Sequence, residues 1–260
     1  MSGLTSLVTA EHVHRFERDG FFVLDSAISP QDLQALRGEC QRFIDDRDRE
    51  MDQRGVAVLD LDHRGRRYFL PAYARSETVR RFLAGEVMVT LASALLGDTV
   101  YLFNEQYVIK SAERGMRFSW HQDSGFIDYP HAPYLSCWIA LDDVTEANGT
   151  VYLLPYERAG THAVVPHWRD DQTHDRIGYA GTDPGDPVIA PAGSIACFSS
   201  TVLHRSSPNT TGQLRRIYLA QYSAQPILTA DGTGLRHLAE LLPADGSASR
   251  DLLRPADPDQ

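Results

Sequence analysis

His121 and Asp123 stand one residue apart in Trp120-His121-Gln122-Asp123-Ser124-Gly125. In an extended chain, side chains at i and i+2 point the same way, so this pair can clip one ion while Gln122 points elsewhere. A second histidine, His204, follows far downstream in Val202-Leu203-His204-Arg205-Ser206-Ser207. Two neutral imidazoles and one carboxylate occupy one face of an octahedral ion and leave three positions open, the arrangement that non-haem Fe(II) needs for a co-substrate and O2. A His-x-Asp tripeptide also arises by chance, so the surroundings carry the weight. His204 comes after the apolar run Ser194-Ile195-Ala196-Cys197-Phe198, which reads as a strand leaving the turn Pro191-Ala192-Gly193.

A basic residue lies eleven positions after His204, since 215 − 204 = 11. Arg215 opens Arg215-Arg216-Ile217-Tyr218-Leu219-Ala220-Gln221-Tyr222, an alternating segment in which one of the two arginines faces inward. An inward guanidinium is a rigid fork matched to a carboxylate. It suits the far carboxylate of 2-oxoglutarate, whose 2-oxo acid end chelates iron.

The elements that must position these residues change character along the chain. Residues 1–97 read as largely helical. Ser29-Pro30 looks like an N-cap with proline in the first turn, followed by Leu33, Leu36, Cys40, Phe43 and Ile44 at helical spacing. A second helix is expected after Ser76, carrying Val79, Phe82, Leu83, Val87, Leu91 and Leu95 inward. Between them residues 47–67 are charge-dense and contain Asp60, Asp62 and His63, expected as a solvated loop or a substrate lid. Residues 98–225 break into short strands at 101–109, 134–141, 150–154, 188–189, 194–198 and 216–222. The fold expected is mostly β with flanking helices, a double-stranded β-helix (jelly roll, cupin-like) forming the core of one domain over residues 1–260. Residues 156–186 are long for a connection and are expected over the pocket mouth. Residues 226–260 form an extension with a short helix at 235–242 and a mobile end.

Composition limits the function classes. With 260 residues and 42% hydrophobic content, the chain can enclose a deep pocket. Its formal charge of −10 argues against a nucleic-acid surface and weakly permits a cationic substrate such as an amine. No apolar run approaches a membrane span and the N-terminus lacks a signal-peptide pattern, so a cytoplasmic protein without a membrane partner is expected. Cys40, Cys137 and Cys197 are too few and too scattered for a disulfide scaffold. Oligomeric state is not legible.

Ordered motifs along nearly the whole chain resemble the phytanoyl-CoA dioxygenase family of Fe(II)/2-oxoglutarate oxygenases. They are Phe16-Glu17-Arg18-Asp19-Gly20-Phe21-Phe22-Val23-Leu24, Gln106 and Lys110 ahead of Trp120-His121-Gln122-Asp123, and Trp138-Ile139-Ala140-Leu141-Asp142-Asp143-Val144. Asn148-Gly149-Thr150, Leu154-Pro155 and His204-Arg205-Ser206-Ser207-Pro208-Asn209 complete the set. The resemblance implies His121, Asp123 and His204 as iron ligands and Arg215 as the main 2-oxoglutarate anchor. It also implies Ser206, Lys110, Gln106, Thr150 and Trp138 as further contacts to the co-substrate. Where the family often reads Pro-Gly-Ser-His, this chain has Pro155-Tyr156-Glu157-Arg158, and no role is assigned there. Lys110 is the only lysine in the chain. Asp123 stands where related halogenases carry a small residue, which favours hydroxylation over chlorination.

The activity expected is Fe(II)- and 2-oxoglutarate-dependent hydroxylation of an aliphatic carbon in a small natural-product or amino-acid-derived metabolite, releasing succinate and CO2. Desaturation, epoxidation and ring formation are variants of that chemistry. A metal-binding jelly roll acting as a sensor or sugar-binding module, and a zinc-dependent or cofactor-free isomerase, are the rivals. Phe126, Tyr129 and Tyr134 are expected on the substrate side, with Trp168 and Tyr179 as further candidates. His162, His167 and His174 form a weaker candidate for a second metal site.

Overall fold

A computed structural model describes residues 7–112, 116–171 and 175–242. The N-terminal part contains α1 (Ala10–Asp19), β1 (Phe21–Leu24), α2 (Pro30–Arg54), β2 (Val58–Leu59), β3 (Asp62–His63), β4 (Arg67–Leu70), α3 (Glu77–Leu83) and α4 (Glu86–Leu96). Then come β5 (Val100–Lys110), β6 (Phe118–His121), β7 (Leu135–Ala140), β8 (Val151–Leu154) and the single turn α5 (Tyr156–Ala159). The last third holds β9 (Trp168–Arg169), β10 (Arg176–Ile177), β11 (Asp186–Pro187), β12 (Ile195–Ser199), β13 (Leu203–Ser206), β14 (Arg215–Ser223) and β15 (Glu240–Leu242).

Among the described residues these strands build a nine-stranded sheet in the order β1-β12-β7-β14-β5-β4-β3-β2, with β15 also on β5, and a four-stranded sheet in the order β11-β8-β13-β6. A two-stranded ribbon, β9 with β10, stands apart. Their pairings are antiparallel, consistent with the expected jelly roll.

Strand alternation sorts the large sheet into two faces. Cys137, Ile139, Cys197, Tyr218, Ala220 and Tyr222 join Leu36, Phe43, Val79 and Leu91 of the helices in the main core. The opposite face turns Trp138, Ala140, Phe198 and Ile217 toward Val151 and Leu153 of the small sheet. Because both faces of β7 are covered, all six of its residues are buried.

Several expectations change in detail. Ser29 does cap α2 by accepting from the Asp32 amide, with Pro30 in the first turn. The helix expected after Ser76 divides into α3 and α4, with Gly85 as the N-cap of the second. Residues 47–67 are not a loop throughout: α2 runs to Arg54, and a short hairpin follows. Asp62 is buried there, taking the Phe69 amide and the Arg47 guanidinium, so its role is to fasten the hairpin. The helix expected at 235–242 is instead β15 with a bridge from Leu235 to Leu228, because the segment finds a free stretch of β5 to pair with. The end of the chain expected to be mobile lies largely outside the described residues. No helix among those described is long and apolar enough to cross a membrane.

Candidate active site

His204 on β13 and His121 on β6 are directly opposite each other, with a register irregularity just beyond His204. Their ring centroids lie 4.2 Å apart. Asp123 opens a 3-10 turn over Asp123–Phe126, immediately after β6, and its Oδ1 lies 3.5 Å from Nε2 of His204. Ligand atoms of the three residues all lie within 4.8 Å of one another, the only such group of three among the described residues. Each imidazole is oriented by a carbonyl two residues upstream, Ser119 at 2.7 Å for Nδ1 of His121 and Val202 at 3.0 Å for Nδ1 of His204. That leaves both Nε2 atoms to face the common point.

The electrostatics suit a metal. Burial, with His204 adding to it, pushes the His121 pKa down to about 3, so its imidazole is neutral. Burial alone would raise Asp123, but the charge and hydrogen bond of His204 outweigh it and hold the carboxyl down at about 2. For His204 burial works against the charged form, while Asp123 more than compensates and raises the pKa. One ionised carboxylate therefore faces two imidazoles.

Three residues with no assigned role in the sequence reading hold Asp123. Its Oδ2 accepts from Ser136 Oγ at 2.5 Å and Gln221 Nε2 at 2.9 Å, and Asn104 Nδ2 donates to Gln221 Oε1 at 2.9 Å. Asn104, Gln221 and Ser136 form one cross-strand row on β5, β14 and β7. With Oδ2 engaged by the large sheet, Oδ1 is left for the cluster. The available signal was the period of two: Gln221 shares a strand face with Arg215, and Ser136 shares one with Trp138.

Lower on the same interior face, Arg215 pairs in register with Lys110. Both are buried, at 2% and 0% exposure, and neither forms a salt bridge to a carboxylate among the described residues. Arg215 Nη2 donates to the Gly149 carbonyl at 3.0 Å, its Nε has no partner, and the guanidinium lies 5.5 Å from the Trp138 ring centroid. Lys110 Nζ donates to Ser206 Oγ at 2.7 Å and to the Ser207 carbonyl. Burial depresses the pKa of both cations, and for Lys110 the Arg215 charge adds to it. Two buried like charges with an orphaned N–H make a receptor for a dianion, so the residues present fit 2-oxoglutarate. Gly149 is required here: at φ +87° a Cβ would sit 2.7 Å from the Ser207 carbonyl and 3.1 Å from Cδ of Lys110.

A cavity of about 540 Å³ joins these features, lined by His121, Asp123 and His204 with Trp138, Gln106 and Ser206. Arg215 and Lys110 stand behind that lining. Thr150 does not line the cavity either: it is fully buried and its hydroxyl donates to the Val188 carbonyl. Phe126 and Tyr134 do line the cavity, Phe126 edge-on to His121. Tyr129 does not, its hydroxyl being given to the Leu228 carbonyl. Trp168 is exposed and Tyr179 packs on Trp120, so neither lines it.

Of the histidines suggested for a second metal site, the two that are described are engaged elsewhere. His162 packs against the Tyr156 ring, His167 takes the Gln122 amide and faces the Val165 carbonyl, and His174 lies outside the described residues. The Gln122 side chain, buried, bonds Ala163, Thr201 and Val165, which ties residues 156–167 to the strand end bearing His121. Where the Pro155-Tyr156-Glu157-Arg158 departure lies, Tyr156 bonds Thr201 and Arg158 pairs with Asp183 and Asp186.

Known proteins resemble this chain over most of its length. Residues 16–217 match the family described as Phytanoyl-CoA dioxygenase (PhyH). The L-proline trans-4-hydroxylase of Streptomyces griseoviridis is 30% identical over 233 residues, covering 80% of this chain and 84% of the relative. An ectoine dioxygenase of Stutzerimonas stutzeri is 27% identical, covering 80% and 74%. Among solved structures, the non-heme alpha ketoglutarate dependent carbocyclase SnoK from nogalamycin biosynthesis superposes with a TM-score of 0.69 at 17% identity, covering 90% of this chain and 96% of that one.

Proposed function

The chain belongs to the phytanoyl-CoA dioxygenase family of Fe(II)- and 2-oxoglutarate-dependent oxygenases, and from that premise we propose that it hydroxylates an aliphatic carbon of a small natural-product or amino-acid-derived metabolite. In this reading His121, Asp123 and His204 hold the iron, and Arg215 with Lys110 receives the far carboxylate of 2-oxoglutarate. The overall balance is one C–H, one O2 and one 2-oxoglutarate consumed, with one C–OH, succinate and CO2 formed. Ferrous iron, when bound, supplies the O2 activation that drives this exchange.

The protein's own part is positioning. Ser119 and Val202 fix the imidazole tautomers, and Ser136 with Gln221 fixes the carboxylate. Ser206 shares its hydroxyl with Lys110 and lines the cavity, so it is placed to bond the same carboxylate. Phe103, Phe126, Phe198 and Trp138 give the cavity apolar walls, which limit water around the reacting carbon.

The observation that carries the proposal is the pair of buried cations without a carboxylate partner among the described residues, standing behind Ser206 and Trp138 in the wall of the cavity that holds the His-Asp-His cluster. A sensor or a zinc isomerase for an uncharged ligand has no use for them, and burying them costs stability. The test is succinate release from 2-oxoglutarate by the iron-loaded protein, alongside anaerobic titration of 2-oxoglutarate followed by its visible charge-transfer band. An iron-loaded protein that shows neither band nor succinate is not an oxygenase of this kind.

A further inference from the structure

Among the described residues, the cavity wall has the opposite charge from the protein. The chain carries a formal −10, yet Arg67, Arg169, Arg176, Arg205 and Arg236 line the cavity against the carboxylates of Asp123 and Asp175. Three of these arginines are engaged. Arg176 pairs with Asp128 at 2.7 Å, Arg205 lies 3.8 Å over the Tyr152 ring and donates to the Pro184 carbonyl, and Arg236 donates to the Phe126 carbonyl. Asp175 accepts from Ser119 Oγ.

Arg67 and Arg169 differ. Arg67 stands on β4 in register with Lys110, and only its Nε is engaged, by the Leu61 carbonyl at 3.2 Å. Its guanidinium is flanked by Phe69 and Phe118 at 5.6 and 5.9 Å and forms no ion pair among the described residues. Burial weighs against its charge, with Asp175 the main carboxylate near enough to offset it. Arg169 sits directly opposite Arg176 across the β9–β10 ribbon, a like-charge pairing that destabilises a bare ribbon. It likewise has no carboxylate partner among the described residues.

Two-oxoglutarate does not account for these cations, since its carboxylates are already matched by the metal cluster and by Arg215 with Lys110. We propose that the substrate is a small carboxylate, and that Arg67, with Arg169 beside the mouth, receives its carboxylate while its carbon skeleton lies on Phe69, Phe126 and Ile127. The inference rests on the oxygenase reading above and names the substrate class for it. A guanidinium fork matches a carboxylate in two parallel N–H···O bonds, and apolar flanks strengthen them by excluding water. A cationic amine, weakly permitted by the net charge, would meet like charge at the mouth.

The experiment is calorimetric titration of the protein loaded with zinc and N-oxalylglycine, which occupy the metal and co-substrate positions without turnover. The probes are matched acids and amides: L-proline with L-prolinamide, benzoate with benzamide, and cyclohexanecarboxylate with its carboxamide. At least one acid is expected to bind about ten- to a hundred-fold tighter than its amide. Arg67→Gln abolishes that preference and Arg169→Gln reduces it, both leaving N-oxalylglycine affinity and melting temperature unchanged. Acids and amides bound alike, or not at all, overturn the proposal, as does a preference that survives Arg67→Gln. Weakened N-oxalylglycine binding in Arg67→Gln also overturns it, by assigning that arginine to the co-substrate. If N-oxalylglycine fails to bind the wild type, the oxygenase reading itself fails, and the substrate assignment with it.

Discussion

The two sheets divide the site between them in different ways. The small sheet contributes the imidazoles from short strands, β6 and β13, whose pairing is irregular just beyond His204. The large sheet contributes the cations from long strands, β5 and β14, paired in register from Arg215 and Lys110 as far as Gln221 and Asn104, beyond which the register shifts. Each histidine is aimed by a carbonyl two residues upstream, a local device. Arg215 and Lys110 are instead held by pairing between strands about a hundred residues apart, a device that only the assembled sheet provides. Asp123 joins the two, following β6 in sequence while its Oδ2 is held by Ser136 and Gln221 of the large sheet. The lesson is that each imidazole is aimed by local backbone, while the pairing of His121 with His204 and of Arg215 with Lys110 is set by register in two different sheets, so metal and co-substrate binding should fail separately.

The largest separation comes from the cluster itself. His121→Ala, Asp123→Ala or His204→Ala should each abolish iron-dependent turnover with an unchanged circular dichroism spectrum, because a ligand is lost and little core volume. A variant retaining full activity would remove that residue from the ligand set. Next, Arg215→Ala should weaken 2-oxoglutarate by roughly ten- to a hundred-fold, the loss of one charge-assisted pairing. Arg216→Ala should leave that affinity intact and lower the melting temperature instead, since Arg216 is paired with Asp142 at 2.6 Å. Loss of affinity confined to Arg216→Ala would contradict the register described for β14.

Gln221→Leu probes the joint between the sheets. It should lower iron affinity by about tenfold while barely moving 2-oxoglutarate affinity in metal-saturated protein, because it frees Asp123 without touching Arg215. Equal losses in both would mean that the sheets do not act separately.

The smallest effect is a pH dependence from Lys110. Burial and the Arg215 charge lower its pKa well below the ordinary value, so the ligand-free folded protein gives up a proton that the unfolded chain keeps up to about pH 10.4. More protons bound in the unfolded state means that stability rises with pH across that window, by up to about 1.4 kcal/mol per pH unit. Urea unfolding at a series of alkaline pH values should show this rise in the wild type and lose it in Lys110→Met. Saturating 2-oxoglutarate should also suppress it by holding the ammonium charged, and co-substrate affinity should fall as pH rises. A rise that persists in Lys110→Met would assign it to another group.

The strands that carry the two histidines, β6 and β13, are not among those expected from the sequence, and the choice of Arg215 comes from the resemblance. Residue type and spacing did single out His121, Asp123 and His204 and turn one arginine of the Arg215-Arg216 pair inward. These are legible because they follow from the period of two and from ligand chemistry, both local properties of the chain. Only the tertiary structure decided that Thr150 bonds the Val188 carbonyl, that residues 240–242 pair as a strand, and that Gln221, Ser136 and Asn104 converge on Asp123. It also decided that arginines from β4 and β9 line one cavity in a chain of net negative charge. Such facts depend on which distant strands become neighbours, and that is set by the packing of two sheets and their helices, not by any one segment's pattern.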